Sequence, residues 1–200
     1  MKSESVVFAV AGMCFGVILG WVIASLQPPR DAAAAAPVTA GTGETAPDRQ
    51  PPPLDEARVQ QLTATVKNEP QNAVAHAQLG NLYFDAERWD DAIQWYQQSL
   101  KLDPDNPNVS TDLGVSYYYT NRTDEALAQF EQSLKIDPKH TKTLLNKGIV
   151  LAFGKQDLAA AAEEWKRVVQ LAPDSPEGQA ARRALEGVAA AHAREGSANP

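Results

Sequence analysis

The side chains with the most chemistry to offer in this sequence are three histidines, His76, His140 and His192, and a single cysteine, Cys14. A catalytic or metal centre needs such groups to converge, and this spacing does not bring them together. Cys14 lies in an uncharged N-terminal run, so the stretch that carries the histidines has no thiol to join them. The sequence contains no Gly-rich phosphate loop, no nucleophile elbow and no metalloprotease helix. The reading is therefore of a non-enzyme with no cofactor and no metal. A formal net charge of −7, without a dense basic stripe, also argues against nucleic acid. What remains is a surface of amides and aromatic rings, and its use depends on the elements that hold it.

Those elements repeat. Gly80, Gly114 and Gly148 are 34 residues apart, and Pro104, Pro138 and Pro173 follow at 34 and 35. The first unit reads Leu79-Gly80, Tyr83, Ala92, Tyr96, Ser99, Pro104. The second reads Leu113-Gly114, Tyr117, Ala126, Phe130, Ser133, Pro138, and the third Lys147-Gly148, Leu151, Ala161, Trp165, Val168, Pro173. A fixed period of this size is the mark of a solenoid, in which each unit buries its apolar face only by stacking on its neighbours. Two helices per unit explain the residue types. Glycine and alanine sit where the pair approaches closely, and Leu79, Leu82 and Tyr83 recur at helical spacing to meet Ile93, Tyr96 and Leu100. Asp90-Asp91 and Asp124-Glu125 place negative charge in the first turn of each second helix. Proline then ends that helix and pushes Asp103 or Asp137 into an extended conformation. His76 falls on a helix-packing position, which predicts a structural role.

Leu-Gly, an aromatic, Ala, an aromatic and Pro, three times over, resembles the tetratricopeptide repeat (TPR) family. His76, Ser110 and Leu144 depart from the family's usual Trp, and Lys147 from its usual Leu. One extra residue in the third unit is expected in its turn, around 155–160, and should make that unit the loosest. The resemblance implies an all-α, right-handed solenoid of three helix pairs, 73–106, 107–140 and 141–174, whose first helices line a concave groove for a peptide or partner protein. Carried over position by position, the groove would hold Val74, Ala77, Gln78, Asn81, Phe84 and Asp85 of the first unit. The second would add Asn108, Thr111, Asp112, Val115, Tyr118 and Tyr119, and the third Lys142, Leu145, Asn146, Ile149, Ala152 and Phe153. Asn81 and Asn146 suit the backbone of an extended peptide, and Phe84, Tyr118, Tyr119 and Phe153 suit anchoring contacts. For Tyr119 and Phe153, packing between adjacent repeats is an equal alternative. The lysine clamp by which some TPR domains hold a terminal carboxylate is not carried over, because Ala77 and Lys142 leave a single cation at the matching places.

Outside the repeats, Val6–Leu26 is a run of 21 residues without a charge, long enough as a helix to cross a bilayer, with Trp21 near its far end. Its length and nearly neutral lead-in favour an uncleaved anchor over a signal peptide. Lys2 before it and Arg30 with Asp31 after it favour a cytoplasmic N-terminus, which in a bacterium puts the repeats in the periplasm. Gly12, Gly16 and Gly20 share one face and suit close packing of two anchors, as a homodimer would need, although glycine is common in such helices anyway. Residues 27–53, with seven prolines, read as a flexible tether.

Helices at 54–72 and 175–200 are expected to cap the stack. The first ends at Pro70, with Leu62 eight residues before it as Tyr96 is before Pro104, so it resembles the second half of a repeat. The last carries Ala180, Leu185, Val188 and Ala189 inward and Arg182, Arg183 and Arg194 to solvent. Formal charge runs −4, −2 and +1 along the three units, a gradient able to orient a charged ligand or simply a solvated outer face. The sequence thus reads as a membrane-tethered interaction scaffold. TPR proteins of similar layout serve envelope protein assembly and cytochrome c assembly. The competing reading is a homo-oligomeric scaffold built through the anchor and the repeat surfaces.

Overall fold

The computed structural model describes the backbone of residues 51–197 and side chains as far as residue 190. The predicted anchor, its glycines Gly12, Gly16 and Gly20, and the tether as far as residue 50 lie outside the described residues. So do the side chains of His192 and Arg194. Among the described residues no helix is long and apolar enough to cross a membrane.

Among the described residues eight helices follow one another: α1 (Glu56–Asn68), α2 (Ala73–Asp85), α3 (Trp89–Leu102), α4 (Pro107–Tyr119), α5 (Thr123–Ile136), α6 (Thr141–Gly154), α7 (Leu158–Leu171) and α8 (Pro176–Ser197). The helix starts are encoded locally. Asn72 and Asn106 accept from the backbone N–H of Ala75 and Val109, satisfying donors the helix itself cannot. Pro107 opens α4, where its missing N–H costs nothing. At α3 and α5 an arginine replaces the cap. Arg88 pairs with Asp91 at 2.7 Å and lies 4.8 Å above the Tyr83 ring, and Arg122 pairs with Glu125 and lies 4.3 Å above Tyr117. Each before a proline, Asp137 ends α5 in extended backbone, at φ −132° and ψ 98°, and Asp103 ends α3 outside the helical region, at φ −133° and ψ 84°.

The pairs α2–α3, α4–α5 and α6–α7 are built on one small-against-large contact. A Cβ on Gly80 would fall 2.5 Å from the Tyr96 ring, one on Gly114 2.5 Å from the Phe130 ring, and one on Gly148 against the Trp165 indole. All three rings are 2 % exposed or less. Their polar tips are satisfied: Tyr96 Oη donates to Asn81 Oδ1, and Trp165 Nε1 donates to the Leu145 carbonyl. His76 is buried as expected, bonding the Asn72 carbonyl and meeting the Trp95 ring.

One expectation needs correcting. The connections between paired helices are three residues long in every unit, each with a left-handed middle residue: Glu87, Asn121 and Gln156. The extra residue of the third unit is not in this turn. It lies in α6, which has 14 residues where α2 and α4 have 13. The closing bonds show how it is absorbed. Arg88 and Arg122 donate to carbonyls five residues back, Tyr83 and Tyr117, whereas Asp157 donates six back, to Leu151. Widening the last turn of α6 keeps α7 in register.

Stacking also sets the curvature. First helices touch one another, α4 with α6 and α6 with α8, while each second helix packs mainly on the first helices around it. The row of first helices is therefore the inner side, and the second helices splay outward. Between α3 and α5 this leaves an open cleft of about 500 Å³ floored by Ser110, Leu113 and Tyr117 of α4.

Candidate functional site

The inner side divides the predicted groove residues in two. Val74, Gln78, Asn81, Asp85, Asn108 and Phe153 are exposed, and Ala77, Phe84, Asp112, Tyr118, Tyr119, Lys142 and Asn146 are partly exposed. Thr111, Val115, Leu145, Ile149 and Ala152 are buried, with Thr111 at 0 % and Leu145 at 1 % exposure. These five pack in the core between neighbouring first helices and offer no surface to a ligand. The cause is the close stacking of α4 on α6, which closes over positions that a wider crossing would leave open.

Thr111 belongs instead to a hydroxyl network that joins the second and third units. Its Oγ1 lies 2.6 Å from Thr143 Oγ1, and both contact Ser133 Oγ, at 3.2 and 2.8 Å. Thr111 and Ser133 each donate to the Pro107 carbonyl. His140 closes the chain, with Nδ1 at 2.6 Å from Thr143 Oγ1 and Nε2 at 3.2 Å from Asn108 Oδ1. His140 thus bonds through both ring nitrogens, Nδ1 to Thr143 and Nε2 to Asn108. A hydroxyl, an imidazole and an amide oxygen in line have the order of a nucleophile, base and orienting group. Here the hydroxyl is fully buried, so no substrate carbonyl can reach it, and the arrangement is structural.

The fold favours neutral His140. Burial lowers its pKa below the ordinary 6.5 and Lys142 acts the same way, against Asp137, Asp112 and Glu177. A base with a depressed folded-state pKa stabilises fully above its unfolded value and loses that contribution as pH falls through the folded one. Melting temperature is therefore expected to fall more for wild type than for His140→Gln as pH is lowered from about 7 to about 5, since Gln can also bond Thr143 without charging. Parallel curves would remove His140 as the source.

Beside this network Lys142 Nζ meets Asp112 Oδ1 at 2.6 Å. Burial raises the Asp112 pKa while Lys142 opposes the shift. The one groove cation is therefore committed to a carboxylate across the α4–α6 contact. Asn146 donates to the Lys142 carbonyl, and Asn81 is engaged by Tyr96, so both amides have structural work in addition to any ligand.

The aromatic residues gather at the first inter-repeat seam. Trp89 stacks on Tyr119 at 4.2 Å, and Phe84 meets Trp89 edge-on at 4.8 Å and Tyr119 at 6.4 Å. Tyr119 thus packs across this seam while staying partly exposed. Trp89 escapes a periodic reading because its counterparts at the start of α5 and α7 are Thr123 and Leu158. Lys147 is equally particular to its unit: where the repeat expects Leu, its ammonium reaches Glu131 and Glu164, and Glu164 also holds Arg167 at 2.7 Å. Among the described residues no group of His, Cys, Asp and Glu could hold a metal ion.

The paired helices, their small-against-large contact and the inner row of first helices define a superhelical repeat module. Two family models agree: a TPR repeat matches residues 80–120 and a tetratricopeptide repeat matches 111–176. Residues 80–176 therefore carry tetratricopeptide repeats. Similar solved structures include the first TPR of Spaghetti (RPAP3) bound to the HSP90 peptide SRMEEVD, 27 % identical over 62 % of this chain and 94 % of that one, with a TM-score of 0.55. The first TPR domain of human RPAP3 is 26 % identical over 64 % and 98 %, with a TM-score of 0.56. MamA, at 14 % identity over 70 % and 89 % and a TM-score of 0.55, shares the fold. No curated protein matches the chain.

Proposed function

We propose that this chain is a membrane-tethered interaction scaffold whose inner face takes an extended segment of a partner protein. The observation that carries this is the row of first helices, which leaves Val74, Gln78, Asn81, Asn108 and Phe153 exposed beside Phe84 and Tyr118. Amides and aromatic area are what an extended backbone and its apolar side chains need. The similar RPAP3 domain bound to a peptide supports a peptide as occupant. The ligand chemistry differs from a terminal carboxylate, because Lys142 is already held by Asp112. The uncharged run Val6–Leu26 and the proline-rich 27–53 supply the anchor and tether, which raise the local concentration of the module at the membrane, on the periplasmic side. Assembly work at the cell envelope, on secreted proteins or cytochromes c, fits that placement.

The test uses the full chain in its own membranes with a photo-cross-linking residue at Gln78, on the inner face, or at Gln98, exposed on α3. A discrete adduct is expected from Gln78, absent from Gln98 and weakened by Phe153→Ser. Asn81 is left intact because its loss would strip the buried Tyr96 hydroxyl of its acceptor. Equal adducts from both positions, or none from Gln78, would sink the groove reading. A chain that washes off membranes in alkaline carbonate would sink the anchor.

A further inference from the structure

The open cleft between α3 and α5 occupies a place that the chain fills with its own side chains in the neighbouring units. One period before Ser110 and Gln129 stand His76 and Trp95, whose rings meet at 5.9 Å. In the third unit their counterparts are Leu144 and, past the extra residue of α6, Glu164. Leu144 is 0 % exposed. Around it the counterparts of Gln97, Leu113 and Gln132 are Glu131, Lys147 and Arg167. Lys147 joins Glu131 to Glu164, and Arg167 runs on from Glu164 to the Pro138 carbonyl, so a chain of charges closes that seam from α5 to α7.

The middle unit has neither filling. Ser110 is small, and Gln129 bends down to it: Nε2 donates to Ser110 Oγ at 2.7 Å, and Ser110 donates to the Gln129 carbonyl at 3.3 Å. On the facing wall Gln97 Nε2 donates to Tyr117 Oη at 2.9 Å. Each amide bonds the floor through one end and has the other for a ligand. Leu100, Pro104 and Leu113 supply apolar area, and Lys101 is the one charged residue of the lining. An ionic occupant like that of the third unit finds no matching charges at Gln97, Leu113 and Gln129. A large ring, as in the first unit, covers the leucines. Amide acceptors favour a ring that carries an N–H, and the ammonium of Lys101 favours a π face. Indole offers both. Because the cleft is open to solvent, the ring can be carried by a chain that continues outside, as a side chain on a partner is.

We propose that the cleft between α3 and α5 receives a tryptophan side chain of a partner protein. It lies on the outer side, and the inference stands whether or not the inner face takes a peptide. Gln98 does not line it, so the two sites are tested apart.

The test titrates the isotope-labelled full chain in detergent with the end-blocked peptide Gly-Gly-Trp-Gly-Gly, followed by NMR at the side-chain amides of Gln97 and Gln129. Saturable shifts are expected at both. The same peptide with Phe for Trp is expected to bind roughly threefold or more weakly, for want of the N–H. Two variants fill the cleft from within. Ser110→Leu copies Leu144, and Gln129→Trp copies Trp95 at a half-buried position while leaving Ser110 the carbonyl of residue 129. Each is expected to weaken the peptide at least roughly tenfold, read at Gln97, with circular dichroism unchanged. Detergent takes up the peptide alike in every sample, so the difference between chains reports the cleft. If Ser110→Leu does not fold, Gln129→Trp and the wild-type shifts decide. The proposal is overturned if wild type shows no saturable shift at Gln97 and Gln129, if a folded variant binds like wild type, or if the Phe peptide binds as tightly. Shifts confined to Gln78 would belong to the inner face and overturn it too. Free tryptophan binding where the peptide does not would overturn a protein as the source.

Discussion

Replacing Trp165 by alanine is expected to remove about 3–5 kcal/mol, the cost of emptying a large buried aromatic site. Trp165 is the largest of the fully buried side chains and leans on Gly148 across the α6–α7 pair. Collapse cannot refill the site, because Gly148 has no side chain to advance and the flanking Leu144 and Val168 are themselves 0 % exposed. Loss of the indole N–H adds little, since the Leu145 carbonyl keeps its helical partner. Against a total stability of about 5–15 kcal/mol the change is large. In a one-dimensional stack it should also be local. Hydrogen exchange is expected to rise over α6, α7 and α8, with α2 and α3 keeping more of their protection. Trp165→Phe, which keeps most of the buried area, should lose less than half as much in urea titration. Uniform loss along the chain would show that the units do not act as separate links.

The fold was legible because its main contact is written as a period. Gly80 with Tyr96, Gly114 with Phe130 and Gly148 with Trp165 can be matched by counting, and the helix pairs follow. What the period does not carry was harder to read. The extra residue of the third unit is invisible to residue type, since widening the last turn of α6 needs no signature side chain, only a carbonyl one residue further back. Groove positions transfer from a repeat pattern only if every pair of units crosses alike. Here α4 and α6 stack closely enough to bury Thr111, Leu145 and Ile149, and a run of hydroxyls knits that seam. Thr111, Ser133 and Thr143 looked like ordinary polar positions one at a time; only their convergence on the Pro107 carbonyl and His140 makes them a unit. Trp89 was missed for the opposite reason, being singular in a reading built on recurrence.

The same contact that made the fold legible predicts a reversal of sign. Gly114→Ala in wild type sets two effects against each other. Alanine is favoured over glycine in a helix by about 1 kcal/mol. Its Cβ would lie 2.5 Å from Cε1 and 2.8 Å from Cδ1 of Phe130, and overpacking of this kind costs about 1–3 kcal/mol. Phe130 is 0 % exposed, so its ring cannot swing to solvent, and the clash should win: a net loss is expected in urea titration. In a Phe130→Leu background the ring edge is gone. The same glycine-to-alanine change should then be neutral or stabilising, while Phe130→Leu alone is destabilising through lost packing. The coupling between the two sites is expected at about 1–3 kcal/mol, favourable to the double variant. Additive changes would mean that the ring moves aside at little cost. The glycine would then owe its recurrence to something other than the aromatic edge.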